Sequence, residues 1–146
     1  MTDAERDAHN ELSAYTLAHG LETFIHQHVV DAFAAQQADE HSKPVTVAFA
    51  LVGLYLHLEQ GDTGREVQQA HMRLGRRKQV WPTFTLPLDR GAITAIDVMK
   101  APEGEERHRA IDAWCASVWA AYAPTSRNTV EEFLRANGER VGSRPR

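Results

Sequence analysis

The most apolar part of the chain is a run of fourteen residues, 45–58, that lies between Pro44 and Gly61. Proline is favoured in the first turn of a helix and glycine just after its last turn. The run is therefore predicted to form one helix, which Ser42 caps and Gly61 ends. At 1.5 Å per residue such a helix is about 21 Å long, which is too short to span a membrane. Because it is apolar on every side, we expect it to lie at the centre of the fold with partners all round.

The rest of the chain carries frequent helix signals and no sustained alternation of apolar and polar residues, which would indicate strands. The predicted fold class is therefore all-α, a single-domain bundle of about six to seven helices around the central apolar one. Two further helices are predicted before the central one: 3–18, which Gly20 closes, and 21–38. Two follow it: the first is opened by a Thr63–Glu66 capping box and ends near Gly75, and the second runs from Thr94 and Asp97 to Lys100. The last two run from Pro102 to Tyr122 and from the cap Asn128 to just before Gly138. The segment 76–90 is predicted to be irregular because two of its residues are prolines.

Composition is typical of a small globular protein. The 146 residues suffice for one domain, 1–137, followed by a flexible tail over 138–146. Cys115 is the single cysteine, which excludes an intrachain disulfide and a cysteine-based metal cluster. The net charge of −4 argues against a nucleic-acid partner. The acidic N-terminus lacks the basic start and apolar core of a secretory signal, so we expect a cytoplasmic protein with no membrane attachment.

Three of the eight histidines, His26, His57 and His71, lie on inward faces of the second, third and fourth predicted helices. These helices are joined by short connections and should pack as antiparallel neighbours. Their rise per residue places the three side chains within about one helical turn of one another. Three imidazoles at one level can hold Zn²⁺, Fe²⁺ or Ni²⁺ with a coordination position left open. The sequence therefore predicts a divalent transition-metal site formed by these histidines.

Carboxylates close to these histidines extend the hypothesis to catalysis. Asp31 and Glu59 could complete the metal shell, orient an imidazole or act as a general base. The first functional hypothesis is thus a small helical metalloprotein, an enzyme that acts on a small-molecule substrate at a histidine-rich site between helices. The alternative is a non-catalytic binding or interaction module with structural core histidines. Its irregular segment 76–90 would contact a partner or a second copy of the chain, as in a homo-oligomer.

A second polar pair projects away from His26 on the second predicted helix. His28 and Asp31 lie three residues apart, with Gln27 four residues before the aspartate. If this face is buried, they could form a catalytic base and its orienting carboxylate, which would give catalysis without a metal. The alternative is an exposed local ion pair of little energetic weight. Three other histidines, His9, His19 and His108, are predicted to be solvated surface residues.

Two further clusters favour structural interpretations. The basic cluster 73–78, followed by Trp81, has the composition of a phosphate contact but suits the negative end of the fourth helix. The aromatic stripe within 111–122 has the spacing of a helix face and is predicted to be core. Cys115 lies in that stripe and is predicted to be an inert buried thiol.

The second predicted helix also carries a motif that resembles a known family. Residues 26–36 read HQHVVDAFAAQ and resemble the HQ-x-x-VDA(Y/F)-x-x-Q motif of an uncharacterised bacterial family, a domain of unknown function. The resemblance continues through three further segments, 54–61, 91–98 and 113–124. It implies four motif positions that are polar, His26, Gln27, Asp31 and Gln36. It implies no known activity.

Overall fold

The structure is a computed structural model that describes residues 1–19 and 23–142. Within these residues it contains six α-helices and no strand, which confirms the all-α prediction. The helices are α1 (Asp3–Ala18), α2 (His26–Gln37), α3 (Pro44–Gln60), α4 (Gly64–Gly75), α5 (Ala95–Lys100) and α6 (Glu105–Ala136). None of these six is both long and apolar enough to cross a bilayer. Gly20 and the predicted start of the second helix at residue 21 lie outside the described residues.

Hydrogen bonds at the helix starts explain where three of the helices begin. Thr2 and Thr63 cap α1 and α4, and each forms a capping box with the glutamate three positions later. In such a box the threonine side chain and the glutamate each accept a backbone N–H that the helix leaves unpaired. At α5 the N–H of Thr94 donates to the Asp97 carboxylate at 2.9 Å. These hydrogen bonds confirm the predicted starts of α4 and α5.

The central helix α3 is buried along most of its length and packs against α2, α4 and α6. This arrangement confirms its predicted central position. Its N-cap is Lys43, so the prediction that Ser42 caps the helix is wrong. The Ser42 hydroxyl instead accepts the N–H of Asp39 within the preceding turn. Gly61 ends the helix with a φ of 74°, the left-handed conformation that glycine adopts without strain.

The turn before α2 makes this helix begin at His26, later in the chain than predicted. Phe24 has a φ of 54°, a conformation that cannot belong to a right-handed helix. The turn lies over the start of α4, where the Thr23 carbonyl accepts the N–H of Arg65 at 2.8 Å. A Cβ at Gly64 would lie 1.9 Å from the Phe24 carbonyl oxygen. The missing side chain of Gly64 thus permits the close approach of the turn to α4.

The last helix, α6, is one helix of 32 residues, and the prediction of two separate helices is wrong. Pro124 lies inside it, and Asn128, which was predicted to cap a new helix, lies within its last third and is exposed. The helix continues because its buried residues keep the same spacing on both sides of the proline, at Trp114, Val118, Tyr122, Ser126, Val130 and Leu134. Pro124 is exposed, so water can reach the carbonyl group that it leaves without an amide partner.

The segment between α4 and α5 is irregular, as predicted, and Gln36 attaches it to the core. The side-chain amide of Gln36 donates to the carbonyl of Ile93 at 2.7 Å. Its oxygen accepts the indole N–H of Trp114 at 3.0 Å. Arg90 in turn donates to the backbone carbonyl of Gln36 at 3.2 Å. One polar residue of the motif on α2 therefore joins the irregular segment to α6.

Of the two clusters with structural interpretations, the aromatic stripe belongs to the core, whereas the basic residues of the cluster 73–78 are exposed. The aromatic stripe of α6 is buried, and burial raises the pKa of the Cys115 thiol well above its usual value, as expected for an inert cysteine. In the basic cluster, Arg73 donates to both carboxylate oxygens of Glu139, at 2.7 and 3.0 Å. The carbonyl of Arg140 accepts from Gln60 of α3 at 3.0 Å. The first residues of the predicted tail thus contact α3 and α4, and the flexibility of the tail stays a prediction.

Candidate functional site

The structure places the three predicted metal ligands, His26, His57 and His71, in three separate environments. His26 Nδ1 lies 2.8 Å from the hydroxyl of Thr16 on α1. The His71 ring packs against Phe49 with the ring centroids 4.9 Å apart. Among the described residues, no three His, Cys, Asp or Glu side chains are grouped so that they could hold a metal ion. The structure therefore does not bring the predicted ligands together, and metal binding by this chain stays a prediction.

The rotation of α2 about its axis explains why His26 does not meet His57. Successive helical residues are about 100° apart, so His26 and His28 point to opposite sides of the helix. It is His28 that faces α3, where its ring stacks on His57 with centroids 3.6 Å apart and an interplanar angle of 18°. His26 consequently faces α1. The helix rise gives the height of a side chain along its axis but not the direction in which it points.

The stacked rings of His28 and His57 lie in a cleft of about 290 Å³ between α2, α3 and α6, which we call the histidine cleft. Its polar side chains include His28, His57, Asp62, Thr63, His108 and Asp112. His57 belongs to the last turn of α3, and the connection from α3 to α4 provides Asp62 and Thr63. The cleft thus combines groups from four parts of the sequence.

Hydrogen bonds hold the His57 ring from both sides. Its Nε2 lies 2.9 Å from Oδ1 of Asp112, and its Nδ1 lies 3.2 Å from the backbone carbonyl of Asp62. Both partners offer acceptor oxygens. The hydrogen bond from His57 lowers the pKa of Asp112, which keeps that carboxyl ionised. His57 and Asp112 therefore form a hydrogen-bonded pair in the wall of the cleft.

His28 provides a neutral imidazole beside this hydrogen-bonded pair. The residue is only 5% exposed, and burial lowers its pKa to about 3, with a further contribution from the charge of His57. No residue in the described ranges forms a hydrogen bond with its ring nitrogens, although its backbone carbonyl accepts a weak bond from the Cys115 thiol. A neutral imidazole has one donor and one acceptor nitrogen. Both are available to a molecule in the cleft.

Among the cleft residues that sequence reasoning missed are His108 and Asp112. They lie one turn apart on α6 and share a face. The four-residue spacing of a histidine and an aspartate was the sequence signal that could have identified them as a pair. His108 was predicted to be a surface residue and is partly buried in the cleft wall. His9, which was also predicted to be a surface residue, stacks on Phe33 with centroids 3.7 Å apart, and burial lowers its pKa.

The two predicted catalytic carboxylates do not line the histidine cleft. Asp31 does not pair with His28 but accepts a hydrogen bond from another side chain of α2. The alternative of an exposed ion pair is also wrong, because both residues are buried. Glu59 accepts the indole N–H of Trp119 at 2.6 Å and the guanidinium of Arg127 at 2.8 Å. These bonds give Glu59 a structural role between α3 and α6.

Fold and site together define a class of protein, an all-helical bundle whose central helix forms one wall of a histidine-lined cleft. The chain matches the model of the family of unknown function DUF5946 over residues 6–123, which is most of its length, and it belongs to that family. This match agrees with the resemblance to an uncharacterised family. Neither the curated proteins nor the solved structures gave a match to the chain.

Proposed function

We propose that the protein binds a small polar molecule in the histidine cleft. The observation that carries this proposal is the imidazole of His28, which lines the cleft and is held with its face on the His57 ring. Its lowered pKa keeps the ring neutral, so it presents one donor and one acceptor nitrogen. A ligand with an acceptor and a donor group would satisfy both nitrogens of the ring.

The charges of the cleft favour a neutral or cationic molecule over an anion. The Asp112 carboxyl lines the cleft, and its lowered pKa keeps it negatively charged. Like charges at close range oppose binding, so a carboxylate or phosphate would meet unfavourable electrostatics here. Alcohols, amides and amines are the ligand classes that suit this cleft.

The walls of the cleft support binding because they are held in place before a ligand arrives. His57 is fixed by two hydrogen bonds, and its ring supports the face of His28. Groups that are already ordered lose little conformational entropy when a ligand binds. The small-molecule substrate predicted from the sequence enters this proposal as a ligand, and metal-dependent catalysis stays a prediction.

A fragment screen by NMR tests the proposal. Neutral, cationic and anionic fragments are added to ¹⁵N-labelled protein while the side-chain resonances of His28 and His57 are recorded. We expect neutral or cationic fragments to shift both histidines. In the variant His28→Phe, which keeps a ring in the stack, their affinity should fall by about tenfold, because one buried hydrogen bond is lost.

The matched control is His41→Gln, because the His41 side chain is 85% exposed and does not line the histidine cleft. This variant should bind the same fragments with unchanged affinity. The proposal would be overturned if no fragment shifted the two histidines. It would also be overturned if His28→Phe bound the fragments as tightly as the original chain.

A further inference from the structure

A second cleft, of about 240 Å³, lies on the other side of α2 from the histidine cleft. It is formed by α2, α3 and α4, and its polar side chains include Gln27, Asp31 and His71. The two clefts have no lining residue in common among the described residues. We call this second one the Asp31 cleft. Any ligand that it takes is therefore independent of the function proposed above.

Asp31 is the most deeply buried acidic residue of this cleft, with 2% of its surface exposed. Its Oδ1 accepts a hydrogen bond from Gln27 Nε2 at 3.1 Å. Its Oδ2 has no hydrogen-bond partner in the described part of the chain. Burial raises the pKa of this carboxyl well above its usual value, so the neutral acid is favoured. A neutral carboxyl group can donate one hydrogen bond.

His71 contributes the second unpaired group. Its ring lies against Phe49, and its Nε2 is buried without a hydrogen-bond partner among residues 1–19 and 23–142. Burial lowers the pKa of His71 to about 4, so the ring is neutral at neutral pH. A contribution from the Phe49 backbone opposes this shift. A neutral imidazole has one donor and one acceptor nitrogen, so the unpaired Nε2 can complete a hydrogen bond in either role, according to the tautomer.

The rest of the cleft is largely apolar, with Val30, Ala34, Phe49 and Ala50 among its lining residues. Two polar side chains, each with one buried and unpaired atom, therefore belong to the lining of one largely apolar cleft. A hydroxyl or a primary amide accepts and donates through adjacent atoms and can match both groups. A charged group would lose its hydration without meeting an opposite charge.

We propose that the Asp31 cleft is a binding site for a neutral small molecule that places a hydroxyl or primary amide between the Asp31 carboxyl and the His71 imidazole. The apolar part of that molecule would pack against Phe49 and Ala50.

NMR titration of the ¹⁵N-labelled full chain with four probes tests this proposal. Benzamide and benzyl alcohol are neutral and carry the required groups, whereas benzoate and benzylammonium have the same ring with a charge. We expect the two neutral probes to shift the amide resonances around Asp31 and the side chain of His71. The charged probes should bind at least about tenfold more weakly, which corresponds to the loss of about one buried hydrogen bond.

Two variants make the test specific. His71→Phe removes the ring nitrogens and keeps a ring, and it should weaken benzamide binding by about tenfold. Asp31→Asn has nearly the same volume as the neutral acid and keeps an acceptor and a donor, so it should bind benzamide about as well as the original chain. Met72→Gln changes the exposed neighbour of His71 and should leave the affinity unchanged. Circular dichroism checks that each variant is folded, and if Asp31→Asn does not fold, His71→Phe alone decides.

Three results would overturn the proposal. The neutral probes could leave the resonances of Asp31 and His71 unshifted, benzoate could bind as tightly as benzamide, or His71→Phe could bind benzamide with unchanged affinity. None of these results bears on the histidine cleft, whose test monitors His28 and His57.

Discussion

Gly53 decides whether the Asp31 carboxyl can be buried between two helices. This glycine lies inside α3, and a Cβ placed on it would be 1.9 Å from Asp31 Oδ2 and 2.5 Å from Cγ. Alanine is favoured over glycine inside a helix by about 1 kcal/mol. Here the close approach of α2 and α3 outweighs that preference, because the carboxyl occupies the space that the side chain would need.

The variant Gly53→Ala should therefore be less stable than the original chain by about 1–3 kcal/mol, the usual cost of overpacking a core. In an Asp31→Ala background the same change should be neutral or stabilising, since the colliding atoms are gone. Urea unfolding of the four chains gives the coupling free energy. Gly75→Ala is the control, because its Cβ would meet only Phe49 Cζ, at an ordinary 3.5 Å. Additive effects of the two substitutions would contradict this account.

At the scale of elements, the ends of helices follow local hydrogen bonds, whereas their continuity follows packing. The capping box of Thr63 and Glu66 lies at the start of α4, where sequence reasoning placed it. Pro124 and Asn128 carry equally plain stop and start signals but lie within α6. The difference is that α6 keeps one buried stripe on both sides of the proline.

Thr63→Ala and Asn128→Ala should consequently have different effects. Thr63→Ala removes a real cap and should lower the free energy of unfolding by about 1 kcal/mol. Asn128→Ala replaces an exposed residue inside a helix with a better helix former and should leave stability unchanged or slightly increased. Thermal and urea unfolding of both variants measure this. A loss of about 1 kcal/mol in Asn128→Ala would indicate a helix boundary at that residue.

At the scale of the whole molecule, buried histidines on both sides of α2 couple stability to pH. Burial lowers the pKa of His28 to about 3 and that of His71 to about 4, from 6.5. The unfolded chain therefore binds these protons at a higher pH than the folded protein does. Their contribution to stability is fully present above about pH 6.5 and is lost as the pH falls toward the folded-state values.

The variant His28→Phe should reduce this pH dependence. Between about pH 6 and pH 4.5, a histidine that is protonated only in the unfolded chain contributes a slope of about 1.4 kcal/mol per pH unit. Removal of His28 should flatten the curve of unfolding free energy against pH by about that amount. The exposed His41 provides the control, since His41→Gln should leave the slope unchanged. Parallel curves for the original chain and His28→Phe would show that His28 is not buried as a neutral ring.

The sequence by itself determined the helical class, the central position of α3 and most helix boundaries, because caps, glycines and apolar runs act over a few residues. It also identified the family resemblance and placed His28, His57 and Asp31 among the residues of interest. Only the tertiary structure decided that His28 faces α3, that His57 meets Asp112 across 55 positions of the chain, and that Asp31 lies over Gly53. The physical reason is that the rotation of a helix about its axis is set by packing against other helices. A change of one residue in that rotation turns a side chain by about 100° and determines which groups share a cleft.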